Sequence, residues 1–180
     1  MAGLKNTERK PNMSLSFYQD QLLINSLEQQ ELPRAVEIYN SNPNYNVLTN
    51  GEPTLTLAEL SREYEEANQY PTGHWLAIRY EDKIIGISHI LLENPNDQKP
   101  WIGLLLIDSS YQGKGYGKKA YLTLEEYFRS LDKKTVHIGV ITSNQRALDF
   151  WGKLGFEQYR QVTASVGKLT QPVLCMAKFL

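Results

Sequence analysis

One stretch constrains the fold more than any other. Residues 102–107, Ile-Gly-Leu-Leu-Leu-Ile, form a short apolar run. Asp108-Ser109-Ser110-Tyr111 and then Gln112-Gly113-Lys114-Gly115-Tyr116-Gly117 follow it. Beyond them Tyr121, Leu124, Phe128 and Leu131 recur at steps of three and four. An apolar run with no alternation reads as a central strand, and the second spacing as an amphipathic helix. Between them, glycines let the backbone turn tightly and gather N–H groups at one point. The first amides of a helix lack internal partners, and its N-terminus carries about half a positive charge. Such a strand–turn–helix unit can hold a phosphate or pyrophosphate, with Lys114, Lys118 and Lys119 around it. By spacing alone it is equally a glycine-rich connection with solvated lysines.

The rest of the chain supplies alternating elements. One strand is expected within residues 15–27. Leu32, Ala35, Val36 and Tyr39 have helical spacing, with Pro33 in the first turn, and Asn42-Pro43-Asn44-Tyr45-Asn46 reads as a turn. Leu57, Leu60 and Tyr64 mark a second helix, with Thr56 and Glu59 as its capping box. Residues 75–80 and 84–92 read as a hairpin around Glu81-Asp82-Lys83, and residues 136–141 as a further strand. A last helix carries Ala147, Phe150, Trp151 and Leu154 on one face and stops at Gly155. Residues 157–166 and 173–179 close with a hairpin around Gly167-Lys168. The class is α/β or α+β: a mixed, mostly antiparallel twisted sheet of six to seven strands with about four helices.

Composition removes several functions. The 180 residues suit a single domain, expected at 15–180 behind a polar N-terminal tail at 1–14 that does not read as a signal peptide. Nineteen basic side chains against twenty acidic ones leave no footprint for nucleic acid. No apolar run approaches the ~20 residues of a membrane span. The single cysteine, Cys175, excludes an internal disulfide and fits a cytoplasmic location. His74, His89 and His137 are too dispersed to argue for a metal. The glycine turn is not a Walker loop, since no Gly-Lys pair precedes Ser or Thr. It is not a dinucleotide or kinase loop either, since Lys118 stands where the third glycine belongs.

Gln112-x-x-Gly115-x-Gly117 between strand and helix resembles the acyl-CoA-binding motif of the GNAT superfamily of N-acetyltransferases. About 30 residues on, Asn144, Ala147, Phe150-Trp151 and Leu154-Gly155-Phe156 resemble that family's second motif. The two together, in order, carry the resemblance over residues 75–162, the expected CoA-binding core. It implies acetyl-CoA as cosubstrate, no metal, and direct transfer of the acetyl group to a primary amine of a small molecule, peptide or protein. Gln112, Gly113, Lys114, Gly115, Tyr116, Gly117 and Lys118 would surround the CoA pyrophosphate. Leu105, Leu106 and Ile107 would offer backbone groups to the pantetheine arm, one amide also supporting the thioester oxyanion, worth ~3–4 kcal/mol. Asn144 would contact pantetheine or cap its helix, and the two roles are compatible.

The sequence departs from the family pattern at two points. Trp151 stands where many members have a tyrosine that protonates the leaving thiolate, and residues 102–106 offer no glutamate as base. His89 is the candidate base, or else an ordinary strand histidine. Tyr111 and Tyr159 are further phenols that the sequence does not place. Tyr39, Asn42, Asn44 and Tyr45 could line an acceptor pocket, or simply form a helix end and turn. The glutamates of residues 59–66 could draw in a cationic acceptor, or lie on a solvated face. The alternative function is a GNAT-fold module that binds acyl-CoA without turnover, and a third reading is a nucleotide-binding protein outside the superfamily. Homodimers are common in the family, and Val173, Leu174 and Met176 are candidates for an apolar edge.

Overall fold

The computed structural model describes residues 15–19 and 21–180. The tail expected at 1–14 lies outside them. Eight strands form one sheet: β1 (Ser16–Gln19), β2 (Leu22–Ser26), β3 (Gly73–Tyr80), β4 (Lys83–Leu91), β5 (Trp101–Ile107), β6 (Thr135–Ile141), β7 (Glu157–Val166) and β8 (Leu169–Phe179). Their order is β1-β2-β3-β4-β5-β6-β8-β7. Every pairing is antiparallel except β5 with β6. Five helices flank it: α1 (Leu32–Asn40), α2 (Pro43–Asn50), α3 (Leu57–Ala67), α4 (Tyr116–Ser130) and α5 (Gln145–Lys153). Side chains of a strand alternate between faces. Leu76, Ile78, Ile85 and Ile90 therefore pack with Tyr121, Leu124, Phe128 and Trp151 of α4 and α5. On the other face Trp75, Ala77, Ile87, Leu104 and Leu106 meet Leu32, Ala35, Ile38 and Leu60 of α1 and α3. Among the described residues no helix is long and apolar enough to cross a membrane.

The mixed, mostly antiparallel sheet is the expected one, with differences that have local causes. The single strand expected at 15–27 is a hairpin, β1 and β2, with Gln21 at φ 69° near its turn. The turn expected after Asn42 is the helix α2. Pro43 occupies its first turn, where a missing N–H costs nothing, and Gly51 ends it at φ 77°. Buried Asn46 donates to Tyr39 O and Pro53 O, at 3.0 and 2.9 Å, which overrides asparagine's weak helix propensity. Leu131 caps α4 and is exposed rather than part of its buried stripe. Val173 and Met176 are buried within the protein, and β8 lies inside the sheet, so the apolar edge expected for a homodimer is not there.

Candidate active site

The glycine turn stands at the end of β5, and side chains on either side of it fix its position. Before it, buried Asp108 accepts from the amide and hydroxyl of Ser110, at 2.9 and 2.7 Å, and pairs with Arg34 at 2.7 Å. Burial pushes the Asp108 carboxyl up, but the Ser110 and Arg34 bonds outweigh it and hold it below the usual range. At the turn itself, Gln112 Nε2 donates to Ile107 O at 2.7 Å and to Asn42 Oδ1 at 2.6 Å. Its Oε1 accepts from Arg146 of α5 at 2.7 Å. Asn42 Nδ2 reaches the same Ile107 carbonyl at 3.1 Å. Gln112, expected beside the cofactor, is thus the staple that joins β5, α5 and the α1–α2 junction.

Gly113 and Gly115 take φ of 74° and 85°, the left-handed region that favours glycine. A Cβ at either would meet nothing within 4 Å, so their outer side is open. Gly115 caps α4, and the first helical bond closes from Lys119 N to Gly115 O at 3.0 Å. The amides of Tyr116, Gly117 and Lys118 therefore have no partner within the helix. Tyr116 packs its ring at a tilt against Tyr80 and edge-on against Tyr111, and Lys114 folds back onto Ser110 O at 2.9 Å.

Beside the turn the sheet comes apart. β5 and β6 pair only at Trp101–His137 and Ile102–Ile138. β5 runs on against β4 to Ile107, and β6 against β8 to Ile141, so a wedge opens between them. Backbone groups alternate in direction along a strand. Asp108 N donates to Ile85 O at 2.8 Å, and Leu106 O lies by Gly86, both toward β4. Leu105 and Ile107 consequently face the wedge. Leu106, expected with them, faces β4 instead. Ile107 meets the wedge with its N–H, since its carbonyl already accepts from Gln112 and Asn42. Asn144 caps α5, its Oδ1 accepting from Ala147 N at 3.1 Å.

On the α1–α3 face of the sheet, at β5, a cavity of about 180 Å³ is lined by Tyr39, Tyr45, Thr49, Asn50, Glu63, Trp75, His89, Gly103 and Leu104, with Val166 and Gly167 along one side. It brings His89, singled out as a candidate base, together with Tyr39 and Tyr45, singled out as candidate acceptor lining. Asn42 is instead part of the staple at the turn. Burial raises the Tyr39 and Tyr45 phenols, and the nearby Glu63 carboxylate raises both further. Burial, with His74 behind it, pushes His89 down to about 4, so the ring is neutral at pH 7. His89 Nε2 and Trp75 Nε1 are sealed without hydrogen-bond partners. Gly103 is an extra residue in β5, between the pairs His89–Leu104 and Ile90–Ile102. A Cβ there would stand 3.1 Å from His89 Nδ1, so glycine keeps the bulge clear of the ring. The sequence reading missed Gly103, although an isolated glycine in a strand signals a bulge. It also missed Trp75, which nothing in its local pattern marks.

The other candidates lie apart from this cavity. Trp151 is 8% exposed and packs edge-on against Tyr121, Phe150 and Phe156, as a core residue. Tyr159 bonds His137 at 3.2 Å on the far strands. The family model "Acetyltransferase (GNAT) family" matches residues 35–156, more than half of the chain. The chain belongs to the GNAT acetyltransferase family. Within that family it is 27% identical over 88 residues to the spermine/spermidine N(1)-acetyltransferase of Bacillus subtilis. That match covers 46% of this chain and 58% of the relative, so it spans little more than half of that enzyme. Two solved acetyltransferase structures share the fold over nearly the whole chain. The Salmonella typhimurium acetyltransferase that modifies the N-terminal serine of ribosomal protein L7/L12 superposes at a TM-score of 0.74 and 15% identity, covering 90% of this chain and 96% of that one. The Vibrio cholerae spermidine N-acetyltransferase, solved with CoA and spermine, superposes at 0.68 and 20%, covering 89% and 96%.

Proposed function

We propose that this GNAT protein transfers the acetyl group of acetyl-CoA directly to a primary amine, with the cofactor in the wedge at the edge of β5 and the acceptor in the cavity on the α1–α3 face. The observation that carries the reading is the juxtaposition itself: an open left-handed glycine turn at a helix N-terminus, a wedge beside β5, and a cavity that β5 also lines. In this reading the amides of residues 113–118 hold the pyrophosphate. The wedge-facing groups of Leu105 and Ile107 bond the pantetheine arm, and the spare Nδ2 of Asn144 lies at the start of α5 beyond the wedge. Acetyl-CoA supplies a thioester carbonyl as electrophile, and a preorganised amide of β5 supports its oxygen as charge develops.

An acceptor amine of pKa ~10.4 must lose a proton before it attacks, at a cost of about 4–5 kcal/mol at pH 7. His89, neutral and beside the cavity, is the residue proposed to assist: with its pKa near 4 it does not keep that proton but accepts a hydrogen bond from the amine, while the proton leaves through water. Trp151 cannot protonate the thiolate, so the thiolate leaves without acid from that position. The lone buried Cys175 suits work in a reducing cytoplasm.

Calorimetry with acetyl-CoA tests the cofactor half. Wild type is expected to bind in the micromolar range. Gly115→Glu is expected to lose binding while staying folded, because its Cβ meets nothing and the left-handed φ costs about 1–2 kcal/mol. Gly115→Ala isolates that strain from the added charge. Wild-type protein that is folded yet binds no CoA species would refute the reading and its non-catalytic alternative together.

A further inference from the structure

The acceptor cavity is selective by charge, an inference that rests on the reading of it as the acceptor site. Among the described residues Glu63 is the only carboxylate in its lining, and no lysine or arginine lines it. Glu63 is half-buried and makes no hydrogen bond or salt bridge with any described residue. Burial raises its carboxyl, with Glu66 and Glu59 adding to the rise; Arg62 and Lys168 act the other way without pairing with it, and Lys168 is engaged by Glu59. Much of the remaining wall is rings: un-ionised Tyr39 and Tyr45, Trp75 and neutral His89.

An ammonium entering this space finds an unpaired carboxylate and aromatic faces, both of which attract it. A carboxylate entering it finds the like charge of Glu63 and no cation. The Trp75 indole N–H offers no remedy, since it is sealed in the wall. The volume, about 180 Å³, is below the ~300 Å³ at which pockets for drug-sized ligands begin. We propose that the acceptor is a small primary amine without a carboxylate, its ammonium received by Glu63 and its body packed against Tyr39, Tyr45 and Trp75.

The test pairs each amine with the amino acid of the same skeleton: phenethylamine with phenylalanine, and putrescine with ornithine. Acetyl-CoA binding is first confirmed by calorimetry, and initial rates are then followed by thiol release. At least one amine is expected to be acetylated, with kcat/KM at least tenfold above its amino acid. Glu63→Gln should erase that preference and raise the amine KM at least tenfold, with acetyl-CoA affinity unchanged. Glu66→Gln, on the exposed side of α3, should change neither. Amino acids used as well as their amines would overturn the proposal, as would an unaltered preference in Glu63→Gln. So would acetyl-CoA binding with no turnover of either amine. Absence of acetyl-CoA binding would instead remove the transferase reading on which the proposal stands.

Discussion

Removing the side chain of Gln112 should loosen the cofactor half of the site without touching the acceptor half. That amide makes three hydrogen bonds of 2.6–2.7 Å, to Ile107 O, Asn42 Oδ1 and Arg146 Nη2. Each is worth about 1 kcal/mol net, and the position is half-buried, so water recovers part of the loss. Gln112→Ala should therefore cost about 2 kcal/mol, which for a chain of this size lowers Tm by about 4–8 °C. It also leaves the Ile107 carbonyl held only by Asn42, at 3.1 Å, and frees the turn from α5. Acetyl-CoA affinity should fall with stability, while the acceptor KM at saturating acetyl-CoA stays put. Gln112→Glu is sharper, because it aims an acceptor at two oxygens while keeping the Arg146 bond. Urea unfolding and calorimetry on the two variants measure both effects. A cycle with Asn42→Ala should show coupling of about 1 kcal/mol, since both side chains serve one carbonyl. If Gln112→Ala unfolds within about 0.5 kcal/mol of wild type and binds acetyl-CoA equally well, the staple argument is wrong.

Two further outcomes follow from other parts of the site. Gly167, at φ 59°, seats the β7–β8 turn on α2, where a Cβ would press on Asn50 Oδ1 and come within 2.7 Å of Thr49 O. Gly167→Ala should cost about 1–3 kcal/mol in thermal unfolding and raise the acceptor KM while leaving acetyl-CoA binding intact. His89 has a folded pKa near 4 against about 6.5 unfolded, so between these values the unfolded chain binds more protons. Stability should thus be lost as pH falls from 6.5 to 4, by about 3 kcal/mol in total, and His89→Asn should flatten that window in urea titrations. An unchanged slope in the variant would show that the ring is not held neutral.

The sequence was most legible where structure depends on local pattern. The capping box of Thr56 and Glu59 is there, with Thr56 N donating to Glu59 Oε2 at 2.8 Å, and Gly155 ends α5 at φ 90°. The apolar run of residues 102–107, with Gly103 inside it, did mark the strand that lies between β4 and β6. Legibility failed where partners distant in sequence decide the outcome. Asn42-Pro43-Asn44 carries both a turn signal and a helix-start signal, and only the buried bonds of Asn46 choose between them. The β1–β2 reversal lacks the Asn-Gly or Asp-Gly pair that would announce a hairpin. Gln112 stood out as a motif residue, yet its bonds run to Asn42 and Arg146, 70 and 34 residues away.

The same contrast separates the two halves of the site. The cofactor half is built from backbone: amides at a helix start, a strand edge, and glycines whose φ few other residues adopt. Those demands fall within 14 consecutive residues, 105–118, and leave a pattern that can be read along the chain. The acceptor half is built from residues on α1, α2, α3, β3, β4, β5 and the β7–β8 turn, one to three from each. Each of them is a common residue in an ordinary place, so no short window marks it. Any one can change without disturbing the turn or the wedge. A backbone-held cofactor therefore leaves the acceptor pocket free to vary, and the family resemblance that locates acetyl-CoA carries no matching information about the amine. The amine has to be read from the charge and size of the cavity, which is why Glu63, unremarkable among the glutamates of α3, is the residue on which the acceptor question turns.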